Sequence, residues 1–412
     1  MYQLRDYQQE SADLGVKHLT KPRPAPFVLQ LATGAGKSIV IADIAKRIEG
    51  KVLVLQPSRE LVMQNYEKLM SYKPDFEVGI YSASLGRKDI GKVTYATINS
   101  IYKKPDEFLD VEYVIIDECH QVNPANFEGM YTSFLNAIGV NRVCGLTATP
   151  YRLLQRTYYE SGTRKQTAQL AMINRIFPFF FKSIVYQIET AELIERGYLS
   201  PILYRKVSVD GLEQLQVNKT GTDYNQESLE ELWQDDERIE QMASVIAKID
   251  KYCQRNLIFC SSLYQTEQVK EALAELGIRA EIVSGETPTK ERKQLVAEYR
   301  AGAFKHMLNV GVFTTGFDVP ELDCVVLARP TISLALYYQM VGRGVRLDPA
   351  RPGKKLRVYD LVRIVDKLGR VETITVAKEK DSKTGKPTWK DQVVSEAGIM
   401  TSVPLFTFAV NK

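Results

Sequence analysis

The chain has 412 residues, 44% of them hydrophobic and 25% charged, and a net charge of +4. That length predicts two domains plus an extension in an ordinary globular protein, and so small a net charge says little about any polyanionic partner. Five scattered cysteines without a C-x-x-C pair exclude a disulfide framework and a zinc ribbon; no apolar run reaches bilayer length and Met1-Tyr-Gln-Leu-Arg-Asp6 lacks a signal-peptide core, so a cytoplasmic protein with no membrane partner is expected.

Apolar runs at 27–31, 52–55, 78–81, 93–96, 113–116 and 143–146, separated by amphipathic stretches, predict parallel βαβ units over residues 1–150. Residues 151–183 read as an irregular aromatic and basic insertion containing Phe177-Pro-Phe-Phe-Phe181. The acidic stretch 223–240 holds Leu229, Leu232 and Trp233 among its carboxylates, the pattern of a solvated helix face. A second α/β series follows, with strands at 257–259, 280–283, 307–310 and 324–327. One of its helices is predicted to open at Thr287-Pro288, with Thr287 as the cap and Pro288 in the first helical position. Beyond Pro349 the chain turns basic, with twelve Lys/Arg against five Asp/Glu in 351–390. A solvated tail and a nucleic-acid contact both fit that segment. The expected divisions are 1–183, 184–350 and 351–412.

Only the first series carries a phosphate-type loop. Leu31-Ala-Thr-Gly-Ala-Gly-Lys-Ser38 is a glycine-rich turn between an apolar strand and the helical pattern of residues 39–48. Such a turn aims successive N–H groups, and the positive end of a helix, at a polyphosphate. Thr33, Gly34, Ala35 and Gly36 form the cradle, Lys37 reaches the outer phosphates, and the Ser38 hydroxyl suits Mg²⁺. Asp117-Glu118-Cys119-His120 follows the apolar run Tyr113-Val-Ile-Ile116, which sets two carboxylates at a strand end, where α/β sheets bind ligands. Asp117 suits a metal, and Glu118 suits a base that orients water against a γ-phosphate. These residues predict nucleotide hydrolysis.

With these segments in this order, the chain resembles a superfamily 2 helicase of the DECH-box type over nearly its whole length. The resemblance implies an α/β fold of two tandem RecA-like parallel-sheet lobes with a small C-terminal extension, and ATP with Mg²⁺ as cofactors. Leu4-Arg-Asp-Tyr-Gln-Gln9 resembles the adenine-reading segment, with Arg5 and Gln8 as its readers. Pro57-Ser-Arg-Glu-Leu61 and Ala96-Thr-Ile-Asn-Ser100 resemble strand-tracking loops, in which Arg59, Thr97 and Ser100 would meet phosphates, joined by Ser261 from the second lobe. Gly145-Leu-Thr-Ala-Thr-Pro150 resembles the coupling loop, where Thr147 and Thr149 exchange hydrogen bonds with the His120 turn.

In the second series, Asn309-Val-Gly-Val-Phe-Thr-Thr-Gly-Phe-Asp-Val-Pro320 resembles a motif in which Thr314 touches nucleic acid and Gly316 and Asp318 approach the ribose. Gln339-Met-Val-Gly-Arg-Gly-Val-Arg346 resembles an arginine-finger helix. Its Gln339, Arg343 and Arg346 would complete the ATP site, the two arginines sharing one helical face. Within the superfamily the likeness is to RadD-like and phage-encoded proteins, through Glu195-Arg-Gly-Tyr-Leu-Ser-Pro201 and Val283-Ser-Gly-Glu-Thr-Pro288, a branch associated with DNA repair, recombination and replication. The implied partner is nucleic acid, DNA favoured over RNA. A duplex translocase that does not separate strands and an RNA-directed helicase stay open. Two departures stand out: Leu31 replaces the first loop glycine, and no cysteine follows Cys324, so no structural zinc is expected.

Overall fold

The computed structural model describes residues 3–126, 128–160, 163–207, 209–219, 221–312, 319–380, 384, 387–399 and 404–409. They form two compact units: 1–152 with 171–192, and 153–170 with 193–412. The first 150 residues hold α1 (Asp6–Leu19), β1 (Phe27–Leu31), α2 (Lys37–Arg47), β2 (Val52–Gln56), α3 (Arg59–Met70), β3 (Val78–Ser82), β4 (Arg87–Lys88), β5 (Val93–Thr97), α4 (Ile98–Ile101), β6 (Tyr113–Asp117), α5 (Met130–Ile138) and β7 (Val143–Thr147). Then come β8 (Tyr151–Glu160), β9 (Thr163–Met172), β10 (Ser183–Ile188), α6 (Thr190–Glu195), β11 (Ile202–Lys206), α7 (Gln226–Leu232), α8 (Asp236–Asp250), β12 (Asn256–Phe259), α9 (Leu263–Glu275), β13 (Ala280–Ser284), α10 (Thr289–Ala301), β14 (His306–Val310), β15 (Cys324–Leu327) and α11 (Leu334–Gly342). The chain continues through β16 (Leu356–Asp360), α12 (Ile364–Leu368), β17 (Thr375–Lys380), β18 (Pro387–Ser395), β19 (Gly398–Ile399) and β20 (Pro404–Ala409).

The first sheet runs β10-β1-β7-β6-β2-β5-β3-β4, parallel except for the short β4. Strands β1, β2, β5 and β7 are buried at every position. Burial on both faces is why they read as unbroken apolar runs rather than alternating ones. Beneath them Phe108 and Phe134 pack edge-on at 5.8 Å, in a core with Leu53, Val114 and Ile116. Helix α1 lies close on α2, because Gly15 leaves room for Ile44; a Cβ at Gly15 would stand 2.6 Å from Ile44 Cδ1. That approach carries the start of α1 to the glycine-rich turn.

The second sheet runs β11-β16-β15-β12-β14-β13, with every pair parallel. Both sheets with their connecting helices are RecA-like lobes, as expected. Four expectations about their edges fail. Residues 151–160 and 163–172 are not irregular: they form β8 and β9, two β-prone runs. The division at 183 falls at the start of β10, which pairs with β1 in the first sheet. The division at 350 separates β16 from its own sheet, where it lies between β11 and β15, so the small antiparallel β17-β18-β19 sheet starts only after α12. Finally, α10 starts one residue late. Pro288 takes the cap position, because the Thr287 hydroxyl is spent accepting the Ser284 N–H at 3.0 Å.

The five cysteines are unbridged and buried. Most carboxylates of 223–240 are solvated as the pattern predicts, over a face that buries Leu229, Leu232 and Trp233. Two are not. Asp235 caps α8, accepting the Arg238 N–H at 3.3 Å. Asp223 accepts the Thr331 hydroxyl at 2.9 Å and the Ile332 N–H at 3.1 Å, with Arg329 at 3.4 Å. Asp223→Ala strands those donors and should lower stability by about 2–3 kcal/mol, against under about 0.5 for the exposed Glu227→Ala. Urea unfolding of the two variants measures the difference.

Candidate active site

The turn after β1 is set by two glycines in the left-handed region, Gly34 at φ +84° and Gly36 at φ +83°. Gly36 is also sterically fixed, since a Cβ there would stand 2.5 Å from Gln8 Nε2. The first intrahelical bond of α2 runs from Ile39 N–H to Gly36 O, which leaves the N–H groups before it as the helix's unpaired donors. From α1, Tyr7 Oη and Gln8 Nε2 both donate to Ala35 O, at 2.9 and 2.8 Å. Thr33 and Ala35 are buried in the same turn. Gln8 Oε1 accepts the Arg5 N–H at 2.9 Å, and Arg5 Nη1 donates to Tyr7 Oη at 3.3 Å. Expected as a reader of a base edge, Gln8 here spends its amide bracing the turn.

At the end of β6 the two carboxylates separate in role. Asp117 accepts Asn65 Nδ2 at 3.1 Å and the Glu118 N–H at 3.0 Å. Burial, and then the neighbouring Glu118 charge, push its carboxyl up to about 6. Glu118 takes a left-handed backbone at φ +50°, unusual outside glycine, which turns its side chain to Lys37 Nζ at 3.5 Å. Its other oxygen lies 3.4 Å from His120 Nδ1. The same nitrogen is 2.9 Å from Thr147 Oγ1 and 3.4 Å from Thr149 Oγ1, while the Thr149 N–H donates to Thr147 Oγ1 at 3.0 Å. Burial lowers the His120 imidazole, which keeps it neutral at pH 7. Arg152 Nη1 holds the His120 carbonyl at 2.7 Å.

Glu118, Lys37, His120, Thr147 and Thr149 thus meet in one place. Tyr7, Asn65 and Arg152 joined them unforeseen. Tyr7 sits between Arg5 and Gln8 and Arg152 just past Thr149-Pro150, so both were within reach of the motifs; Asn65 arrives through the packing of α3 and left no local signal. Ser38 stands in the first turn of α2. With Asp117 it offers two hard oxygen donors, and the desolvated Asp117–Glu118 pair carries excess negative charge. That donor set fits Mg²⁺, which binds through one or two protein oxygens together with phosphate and water.

The expected strand contacts divide. Arg59 pairs with Glu60 at 2.9 Å. Thr97 and Ser100 lie 2.7 Å apart, and Ser100 Oγ accepts the Ala83 N–H at 2.9 Å. Ser261 does not serve as a surface contact: it is 2% exposed, and its N–H donates to Gln265 Oε1 at 2.7 Å. Thr314, Gly316 and Asp318 lie outside the described residues.

The arginine pair is also built differently from the expectation. Helix α11 ends at Gly342, so Gln339 sits in its last turn, Arg343 caps it and Arg346 lies beyond; the two arginines do not share a helical face. Tight bonds from Arg343 N–H to Met340 O and from Gly344 N–H to Val341 O end the helix. The following segment is pinned by Ser200, whose N–H and hydroxyl donate to Val345 O (2.7 Å) and Arg346 O (3.0 Å). Burial brings the Arg346 guanidinium down to about 10, still charged at neutral pH. Two cations of the supposed basic extension belong to this framework. Lys354 donates to Pro320 O, Leu322 O and Gly344 O at 2.7–3.1 Å, and Arg351 pairs with Asp348 and Asp323.

The raised Asp117 value makes one prediction. A carboxyl whose folded value lies above the ordinary 3.8 stabilises the fold while protonated, and that contribution is lost as pH rises through about 6. Between pH 4 and 7.5 the wild type should lose about 1–3 kcal/mol more than Asp117→Asn does. Urea unfolding of both proteins at the two pH values measures it.

Residues 1–152 match the family Type III restriction enzyme, res subunit, and residues 237–348 match the helicase conserved C-terminal domain. The putative ATP-dependent helicase IRC3 of Saccharomyces cerevisiae is 26% identical over 366 residues, which cover 84% of this chain and 50% of that protein. A 51.5 kDa protein of a Lactococcus phage is 28% identical over 328 residues, covering 77% and 62%. The chain therefore spans half to three-fifths of the length of these relatives. In fold it is similar to the Type ISP restriction-modification enzyme LlaBIII, with a TM-score of 0.63 and 16% identity over 88% of this chain and 28% of that one. No helix among the described residues is long and apolar enough to cross a membrane. A match to a restriction-enzyme subunit is thus followed along the chain by a match to a helicase C-terminal domain, on two RecA-like lobes, and the relatives that cover most of the chain include proteins named as helicases.

Proposed function

We propose that this protein is an ATP-dependent nucleic-acid helicase or translocase acting on DNA in repair, recombination or replication. The observation that carries this reading is the buried line from Lys37 through Glu118 and His120 to Thr147, with contacts of 3.5, 3.4 and 2.9 Å. Lys37 is the natural partner of a β- or γ-phosphate, and a phosphate arriving there frees Glu118 to orient the attacking water. A change at Glu118 is then felt at His120, and through it at Thr147 and Thr149 on the next strand end. Thr33 to Gly36 offer backbone N–H groups to the phosphates, and Arg5 remains the candidate reader of the base. Ser38 and Asp117 would hold Mg²⁺, whose charge would offset that of the phosphates.

Gln339, Arg343 and Arg346 are the residues proposed to meet charge on the transferred phosphoryl group; such arginines are worth roughly 10³–10⁵ in rate. Arg59, Thr97, Ser100 and Thr314 are the proposed backbone contacts, with Gly316 and Asp318 near the ribose. The likeness to RadD-like and phage-encoded proteins is what favours DNA; the Asp117-Glu-Cys-His120 sequence fits DNA and RNA alike. The match to the restriction-enzyme family favours a second reading, a duplex translocase that moves without separating strands.

ATP turnover by the purified chain, alone and with single-stranded, duplex and forked DNA and with RNA, tests the proposal. DNA should stimulate turnover and RNA should not; stimulation by RNA alone would contradict the DNA assignment. Displacement of a paired strand, set beside displacement of a triplex-forming strand, separates unwinding from translocation.

A further inference from the structure

One edge of the second sheet carries a side-chain cluster that the proposed nucleotide cycle does not use. Parallel pairing sets Leu203 of β11 opposite Arg357 of β16, and Arg205 opposite Tyr359. Side chains alternate along a strand, so these four share one face. On the opposite face Val358 and Asp360 are buried, and Tyr204 Oη donates to Glu372 at 3.0 Å. Tyr252, in the turn after α8, stands beside the four and is 69% exposed. The five residues line an open cavity of about 260 Å³. Parallel sheets are ordinarily covered on both faces, and here Arg205 is exposed while Arg357 and Tyr359 are half-buried.

The charge of this cavity is one-sided. Arg47, Arg59, Arg87, Arg279 and Arg351 each have a carboxylate partner. Among the described residues, Arg205 and Arg357 have none within ion-pair distance. Arg205 Nη1 reaches only the Tyr204 carbonyl, at 3.2 Å. Asp323, whose carbonyl accepts the Arg357 N–H, gives its carboxylate to Arg351 and to the N–H groups of Gln254 and Arg255. The cavity is smaller than the roughly 300–1,000 Å³ of sites that enclose a whole small molecule, so it suits one unit of a longer ligand.

We propose that this cavity is a nucleotide subsite for single-stranded nucleic acid, with a phosphate held by Arg205 and Arg357 and a base stacked on Tyr252. The planar guanidinium fork matches phosphate oxygens, and a tyrosine ring accepts any base face. An acidic peptide would satisfy the arginines but leave the exposed Tyr252 ring unused. The subsite rests on the motor reading insofar as it needs a nucleic-acid partner, and it gives the second unit a hold on the strand beyond Thr314.

The test is fluorescence anisotropy of a labelled oligothymidylate on the full chain, alongside ATP turnover without nucleic acid. The variants are Arg205→Ala with Arg357→Ala, and Tyr252→Ala, whose exposed position makes it neutral to folding. Both should keep basal turnover. The arginine variant should bind about tenfold more weakly, with a salt slope shallower by about 0.7 for each phosphate left without its arginine. Tyr252→Ala should weaken binding about tenfold with the slope unchanged. Unaltered affinity and slope in both variants, with wild type binding normally, would overturn the subsite and leave the motor reading standing. A wild type that binds no strand would overturn both. Polyglutamate that displaces the oligothymidylate from wild type as well as unlabelled strand does would replace the nucleotide reading with an acidic-peptide site.

Discussion

Two adjacent carboxylates buried at the end of one strand repel each other, and the first unit is arranged around that repulsion. Asp117 takes hydrogen bonds from Asn65 and from the Glu118 backbone, yet burial still holds its carboxyl near 6. Glu118 escapes in another direction, by a left-handed turn that delivers it to Lys37 and His120. Lys37 is placed by a turn that only glycines can make at 34 and 36, and α1 locks that turn by two hydrogen bonds to Ala35 O. Under the proposed function, a polyphosphate entering the turn would compete directly for Lys37. On that reading the resting contact would also be the trigger, since whatever displaces Glu118 from Lys37 alters the group that touches His120 and the threonine turn.

The second unit solves a different problem, holding two arginine side chains beyond a helix end where regular hydrogen bonding has stopped. Ser200 fixes the Val345 and Arg346 carbonyls, and Lys354 fixes the Gly344 carbonyl while bridging to Pro320 and Leu322. Burial, with Arg351 nearby, lowers the Lys354 ammonium to about 8; three carbonyl acceptors are what make a buried lysine tolerable. The segment that carries Arg343 and Arg346 is thus braced by residues from both sides of it in sequence. Rigid bracing of this kind would suit the role proposed for the two arginines, meeting charge on a transferred phosphoryl group.

The sheets were legible because central parallel strands are buried on both faces, and every apolar run read as a strand in the two series is one. Their edges were not. Strand β11 is half-buried to exposed along its length, and β8 and β9 mix polar with β-prone residues, so neither announces itself by hydrophobicity. The glycine turn and the 117–120 carboxylate turn were legible because backbone geometry and charge demand those residue types at that spacing. Asn65, Ser200 and Lys354 were not, since their roles arise from contacts made across the fold rather than along the chain. Helical spacing misled at Arg343 and Arg346 because α11 ends at Gly342, before the pair it was expected to carry.

The measurement that bears most directly on the account is the behaviour of Glu118→Gln. The amide keeps the size of the side chain but cannot act as the carboxylate that orients water. ATP binding should persist at wild-type affinity or tighter, because Lys37 is released from its carboxylate partner, while turnover falls by about 10²-fold or more. Undiminished turnover in that variant would contradict the assignment of Glu118, and with it the account of how the first unit works.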